Sequence, residues 1–528
     1  MGGNMSALRN SMAFLIFLML AVLIPAQSVR TEPAQIWDNL EPGQYAVGFK
    51  TIEQYDYSRT FQPKADYFGN PIEGERARPV QICVWYPAVP DDNLMPMVYA
   101  EYVYPYPENE NFINVLSNLQ NREIQALTMI IGDQAVINDA MNAQFAGLRD
   151  AQPAEGQFPL LLYIPDLTAS YCDQGVLCEY LASRGFIVAT TPSLGMAALN
   201  PEPTEADLEN LIRDKEFALA ALRDFPIWDQ NKLGVFGTGI GGLGALDLQM
   251  RNSDIDAVVS LDGWYVLAEH QDFVPHSPSY NIMRASKPIL QIYGRNNATD
   301  FGSVEAIRYA DRYSLDMLNF RQGEFVHYYM FSAMYTGELY DAPKVYRDSY
   351  KLVCKYTAEF FDAMLNNSET ALAFMKAPVA DNGFDPALAE ITFMPGAELP
   401  PTRAQFTTIL ATDRIATAVE LYNKFHAQNP DLILFDENVV NAIGYRLLQQ
   451  GRIDESIQIF KMNTEVYPSS CNVWDSLSDA YMTAGDNENA IKCVRKALEA
   501  LPTDTVTNPG TKDIIRTGCQ EKLNQLGG

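Results

Sequence analysis

The stretch GVFGTGIGG, residues 234–242, lies between two runs of different character. Residues 232–237 read as a short buried strand, and the residues after 242 read as a helix. Glycines at 237, 241 and 242 let a strand and the helix that follows it approach closely. Gly239 stands at the apex of the turn, where backbone angles are unfavourable and glycine tolerates them best. The apex therefore has the geometry of a functional turn and no side chain.

The same alternation extends in both directions. FPLLLYIP (158–165), GFIVATTP (185–192), DAVVSLD (256–262) and PILQIYG (288–294) are short apolar runs that end in turn residues. Amphipathic stretches at 173–185 and 204–225 separate the earlier runs. Strands alternating with helices imply an α/β fold, a mostly parallel sheet covered by helices on both faces. Residues 102–148, rich in Asn, Gln, Tyr and Met, break the pattern and read as a helical insertion of the kind that forms a lid. The first domain is expected over 27–395, and GAELPPTRAQF marks a linker at 396–403.

At 528 residues the chain exceeds what one hydrophobic core usually supports. Its 66 acidic and 38 basic side chains leave a net charge of -28, which repels phosphate backbones and anionic head groups, so nucleic acid is not an expected partner. Near the N-terminus Arg9 precedes the apolar run MAFLIFLMLAVLI (12–24) and small Ala26 follows it. This reads as a secretory signal over 1–26, too short for a stable membrane anchor, with the mature protein exported to a periplasmic or extracellular space. Seven cysteines without a CxxC pair and four histidines give no expectation of a metal or other cofactor. Cys172 and Cys178 could pair in an oxidising compartment; buried free thiols are the other reading.

Beyond the linker the pattern is wholly helical and repeats every 34 residues. Trp474, Leu477, Tyr481, Ala490, Ala497 and Pro502 recur as Val440, Ile443, Leu447, Ser456, Asn463 and Pro468, with Gly444 at a small-residue position. This resembles tetratricopeptide repeats, which implies a helical domain over 404–510 that offers a surface to a protein partner. Within it a degenerate helix pair around 413–429 caps the stack of repeats on its inner side, and a C-terminal helix or tail occupies 511–528.

Five segments of the first domain appear in a telling order: VQICVWYPA, LLLYIPDLTA followed by VLCEYLASRGFIVATTPS, GVFGTGIGG, VVSLDGW, and FVHYYMFS. Together they resemble the dienelactone-hydrolase and platelet-activating-factor-acetylhydrolase branch of the α/β-hydrolases. The resemblance implies carboxylic-ester hydrolysis, with an ester-like or acyl small molecule as ligand. It places the catalytic acid at Asp262, the histidine at His327, and the oxyanion-hole donors at the backbone N–H groups of Leu167 and Ile240. The nucleophile falls on Gly239, where serine is absent, so the expectation is a weak or inactive esterase. Gly239→Ser would then complete a triad. Two alternatives stay open: water activated by His327 and Asp262, or a displaced nucleophile among Thr238, Ser170, Tyr171, Cys172 and Ser193. A dinucleotide reading of GTGIGG through Gly237, Gly239 and Gly242 is weaker, because that motif opens the first βαβ unit and this one lies deep in the sheet.

Overall fold

The computed structural model describes residues 36–527 apart from 38–39, 66–67, 104–111, 168, 197–199, 322, 329, 332–342 and 413. The signal expected over 1–26 lies outside the described residues. The chain divides into one compact unit ending at Ala397 and a second starting at Glu398.

In the first unit eleven strands among the described residues make one sheet. They are β1 (Ala46–Thr60), β2 (Ala77–Ala88), β3 (Pro96–Val98), β4 (Gln144–Arg149), β5 (Phe158–Ile164), β6 (Ile187–Thr190), β7 (Trp228–Thr238), β8 (Ala257–Leu261), β9 (Ile289–Gly294), β10 (Arg312–Met317) and β11 (Ala389–Met394). Their order is β11-β10-β9-β8-β7-β5-β6-β2-β1-β4-β3. The central strands β6, β5, β7, β8, β9 and β10 run parallel. The principal helices are α1 (Ile113–Ile131), α2 (Gln134–Met141), α3 (Gly175–Ser183), α4 (Glu205–Ala221), α5 (Ile240–Arg251) and α6 (Pro343–Leu365).

Strand period sorts the core into two layers. Leu161 and Tyr163 of β5 join Phe236, Val259 and the residues of α3 and α6 on one face. Leu160, Leu162 and Ile164 join Val235, Val258 and the residues of α4 and α5 on the other. Both faces are thus apolar and covered, which is why these strands read as continuous hydrophobic runs. The central order and the turn from β7 into α5 make this an α/β-hydrolase fold, followed by an all-α unit. The stretch 102–148 is helical through α1 and α2 but ends in a strand, which corrects the wholly helical expectation. Phe145, Gly147 and Leu148 are buried, and β4 pairs in parallel with β1 through Val47, Gly48 and Phe49.

The turn after β7 is built on absent side chains. A Cβ on Gly237 would strike the Gly241 carbonyl, and one on Gly241 would strike the carbonyl oxygens of Ile164 and Pro165. The start of α5 therefore lies against the end of β5 at backbone distance. Gly241→Ala forces backbone apart at both places; we expect a loss of about 1–3 kcal/mol or more, measured by chemical denaturation of the first unit.

In the second unit, α7 (Arg403–Ala411) opens with a capping box, in which Thr402 and Gln405 satisfy each other's backbone N–H groups. It is followed by α8 (Ile415–Gln428), α9 (Glu437–Gln449), α10 (Ile453–Val466), α11 (Cys471–Ala484), α12 (Asn487–Ala500) and α13 (Pro509–Leu526). The pairs α9–α10 and α11–α12 begin at matching places in the sequence repeat. Gly444 lets the Phe460 ring lie against α9, where a Cβ would overlap it. Leu477, Ala490 and Ala497 are buried in the seams. Lys496 sits 4.4 Å over the Trp474 ring. Limited proteolysis is expected to cut first within 396–403. A chain that resists cleavage there and unfolds in a single transition contradicts two separate units.

Candidate functional site

The parallel strands end on one side of the sheet, and a cleft of about 670 Å³ opens there beside Gly239. Gly239 precedes α5 with φ 55° and ψ −124°, so the apex keeps its strained angles. Its N–H donates to the Leu261 carbonyl at 3.1 Å, and its own carbonyl accepts from Gly242 and Trp264. These bonds fix the apex against the ends of β8 and the turn beyond it.

The space of the missing side chain is filled. A Cβ built on Gly239 lands on Asp166 Oδ2, far inside van der Waals contact. That same oxygen accepts the N–H of Ile240 at 3.2 Å. Asp166 ends the turn after β5, and its N–H donates to Thr238 Oγ1 at 3.1 Å. A carboxylate of the protein thus takes the backbone donor at the start of α5, where the helix dipole favours negative charge. Leu167 follows in the turn with a buried side chain. Its carbonyl accepts from Arg122 Nη2 at 2.8 Å.

The structure does not bring Asp262 and His327 together. Asp262 lies at the end of β8 with φ 52° and lines the cleft. Its Oδ1 accepts from Asn297 Nδ2 at 2.6 Å. Burial pushes its carboxyl up to about 7, against the hydrogen bonds from backbone Gly323, Asn297 and backbone Gly294. The loop after β10 therefore offers Asp262 a backbone N–H at Gly323 rather than an imidazole. His327, four residues further on, is fully buried. Its ring packs against Tyr99, Phe145, Tyr328 and Phe331 with centroids 5.2, 5.6, 5.2 and 5.3 Å away. Neither ring nitrogen has a hydrogen-bond partner among the described residues. Burial presses its pKa down to about 3, with the nearby Asp173 carbonyl offsetting only part of that. Phe145 of β4 and Tyr99 before the insertion supply half of this aromatic cage, so the strand that sequence reading missed also encloses the histidine.

The displaced-nucleophile candidates are engaged elsewhere. Thr238 Oγ1 lies 3.1 Å from the Tyr163 hydroxyl in addition to accepting from Asp166. Ser170 Oγ contacts Cys172 Sγ at 3.2 Å, and burial raises the Cys172 thiol well above its usual range. Tyr171 donates to the Tyr102 carbonyl. Ser193 Oγ points to the Asp166 carbonyl at 3.4 Å. All seven cysteines are free thiols and buried, Cys172 and Cys178 included.

Sequence reasoning also passed over several residues that shape the cleft. Arg122 of α1 donates to the carbonyls of Ser193, Leu167 and Ala169 at 2.8–3.1 Å, tying the insertion to two loop ends. Glu123 beside it is buried, takes the hydroxyls of Tyr99 and Tyr328, and has its carboxyl raised by burial. Trp264 lines the cleft and stacks on His270 at 3.7 Å between centroids. The signal for Asp166 was present: an acid stands two residues after β5, in the turn facing the start of α5.

No protein-family model matches the sequence, and no curated protein matches it. Among solved structures the chain is similar to a ferulic acid esterase from Streptomyces cinnamoneus, at 19% identity and a TM-score of 0.46, over 69% of this chain and 100% of that one.

Two outcomes follow from the geometry. His327→Phe removes a buried imidazole whose ring nitrogens lack a hydrogen-bond partner among the described residues, and should leave the protein as stable or about 1 kcal/mol more stable; a clear loss of stability in thermal melts contradicts the enclosed site. Folding favours protonated Asp262, so this group stabilises fully below its ordinary value of 3.8, and the contribution is lost as pH rises through about 7. Asp262→Asn should lessen the fall in melting temperature between pH 5 and 8. An unchanged slope means that Asp262 titrates at its ordinary value.

Proposed function

We propose that this chain is an exported protein that uses an α/β-hydrolase fold to hold a small molecule, ester-like or acyl in its body, with little or no turnover. Its helical pairs are tetratricopeptide repeats that engage a protein partner. The observation that carries the reading is the seat of Asp166: one carboxylate oxygen fills the nucleophile's place and holds the Ile240 amide. An ester carbonyl that develops negative charge needs that amide, and electrostatic stabilisation of this kind is usually a large share of acyl-transfer catalysis. The nucleophile is absent, the Ile240 amide is taken, and the histidine of the resemblance is sealed in the core. Water activation by His327 with Asp262 fails for the same reason, since the two are not paired and the imidazole stays neutral.

The test is turnover of p-nitrophenyl butyrate together with labelling by a fluorophosphonate, on the unmodified protein and on Gly239→Ser. Neither protein should turn over ester above the oxyanion-free background or take up label. In the variant the new β-carbon meets Asp166, and no imidazole stands ready to take the serine proton. Ester hydrolysis by the unmodified protein at ordinary enzymatic rates overturns the reading, and so does strong labelling of Gly239→Ser. For export, mass spectrometry should find the mature N-terminus close to Gln27.

A further inference from the structure

Among the described residues that line the cleft, four can carry charge: Arg122, Asp166, Asp173 and Asp262. Each is already met inside the protein. The Arg122 guanidinium donates to the backbone carbonyls of Ser193, Leu167 and Ala169. Asp166 holds the Ile240 amide through Oδ2 and makes further interactions besides. Asp173 is fully buried with Oδ1 on the Tyr163 hydroxyl, so it offers the cleft no oxygen. Asp262 is 4% exposed and takes hydrogen bonds from Asn297 and from backbone Gly323 and Gly294. Neutral polar groups of the wall are spent in the same way, Thr238 Oγ1 on Tyr163 and the Asp166 amide, the Tyr328 hydroxyl on Glu123.

What the cleft leaves open is mainly apolar. Along one wall α1 presents Ala126, Met129 and Ile130 at three- and four-residue spacing, and Phe325 and Val326 line the cleft as well. Met129 is 86% exposed, an apolar side chain that nothing in the first unit covers. Trp264 adds an indole whose ring is stacked on His270. At about 670 Å³ the cleft has room for a ring-sized ligand.

We propose that the cleft selects an uncharged ester with an apolar, ring-sized body, and discriminates against both the acid and the amine of the same body. This rests on the reading above that the cleft holds an ester-like molecule without hydrolysing it, and narrows that ligand to the intact neutral ester. An ion that enters gives up hydration and meets no free counter-charge in the wall, which makes its transfer unfavourable. A neutral ester has far less hydration to lose, and burial of its ring against Ala126, Ile130 and Phe325 drives binding. The cleft therefore tells an ester from the acid that its hydrolysis would yield.

The experiment is calorimetric titration of the full chain at neutral pH with methyl benzoate, benzoate and benzylammonium, three probes with one ring and three charges. Salt at about 0.15 M screens the general attraction of a net charge of -28 for any cation. Saturable binding of methyl benzoate is expected, with both ions at least tenfold weaker when read by displacement of the ester. Gln125 is exposed on α1 and lines the cleft, so a charge can be added there without disturbing the core. Gln125→Arg should strengthen benzoate about two- to fivefold, and Gln125→Glu benzylammonium by as much, the strength of an exposed ion pair. Methyl benzoate should bind both variants as it binds the unmodified protein. Asp381→Asn, outside the cleft, is the control and should alter none of the three affinities. Methyl benzoate that fails to saturate overturns the proposal, as does an ion that binds the unmodified protein as tightly, or ion affinities that ignore both Gln125 variants. Turnover of p-nitrophenyl butyrate by the unmodified protein sinks the earlier reading instead, and the three affinities still decide this one.

Discussion

The backbone contact at Gly241 governs the rest of the site. Because a Cβ there would overlap the carbonyls of Ile164 and Pro165, the first turn of α5 can lie directly on the end of β5. Asp166 is the next residue along that strand's exit, and the contact delivers its carboxylate to the Ile240 amide. The tight packing of strand on helix here carries an acid into the space that a side chain at 239 would take. Serine at 239 and a carboxylate on Asp166 in its present position exclude each other sterically. Absence of a side chain at the apex and occupation of the Ile240 amide are therefore two aspects of one packing arrangement.

Electrostatics around the cleft follow from burial. Asp262, Asp173 and Glu123 all have carboxyls raised above their ordinary range, with desolvation the largest cause in each. Removing carboxylates from water favours the neutral form unless charge or donors compensate. Arg122 is near enough to favour ionised Glu123, yet its own donors go to loop carbonyls, so it braces the cleft more than it neutralises it. Glu179 of α3 does related work on the insertion: it takes the Trp37 indole, the Tyr102 hydroxyl and the amides of Ala146 and Gly147. One buried acid thus joins the segment before β1, the start of the insertion and β4.

The fold was legible because its signals are local. Buried parallel strands read as apolar runs, and β5 through β9 fall where those runs predict them. The glycines of 237–242 announce a strand-to-helix turn whatever sits at its apex. Around the cleft, sequence reading located what the backbone defines: Gly239 and Ile240 lie at the turn, and Asp262 at the end of β8. His327 was not, because its direction depends on a long-range packing choice. The loop after β10 meets Asp262 at Gly323, and one turn later the chain enters an aromatic core built from Tyr99, Phe145 and Phe331, residues far away in sequence. Asp166 stood within a segment valued for its backbone donors, yet it is its side chain that meets Ile240 and the space beside Gly239. In β4 a short strand followed two helices without a strong turn signal, so its place beside β1 emerged only from pairing.

The central claim is that the Asp166 carboxylate holds the Ile240 amide. Selective 15N labelling of isoleucine, with the Ile240 resonance assigned by its loss in an Ile240→Val variant, reads that bond directly. The account predicts an Ile240 amide proton displaced downfield in the unmodified protein and returned upfield in Asp166→Ala, with isoleucines of the helical unit unmoved. An Ile240 resonance that stays in place when Asp166 is removed would contradict it.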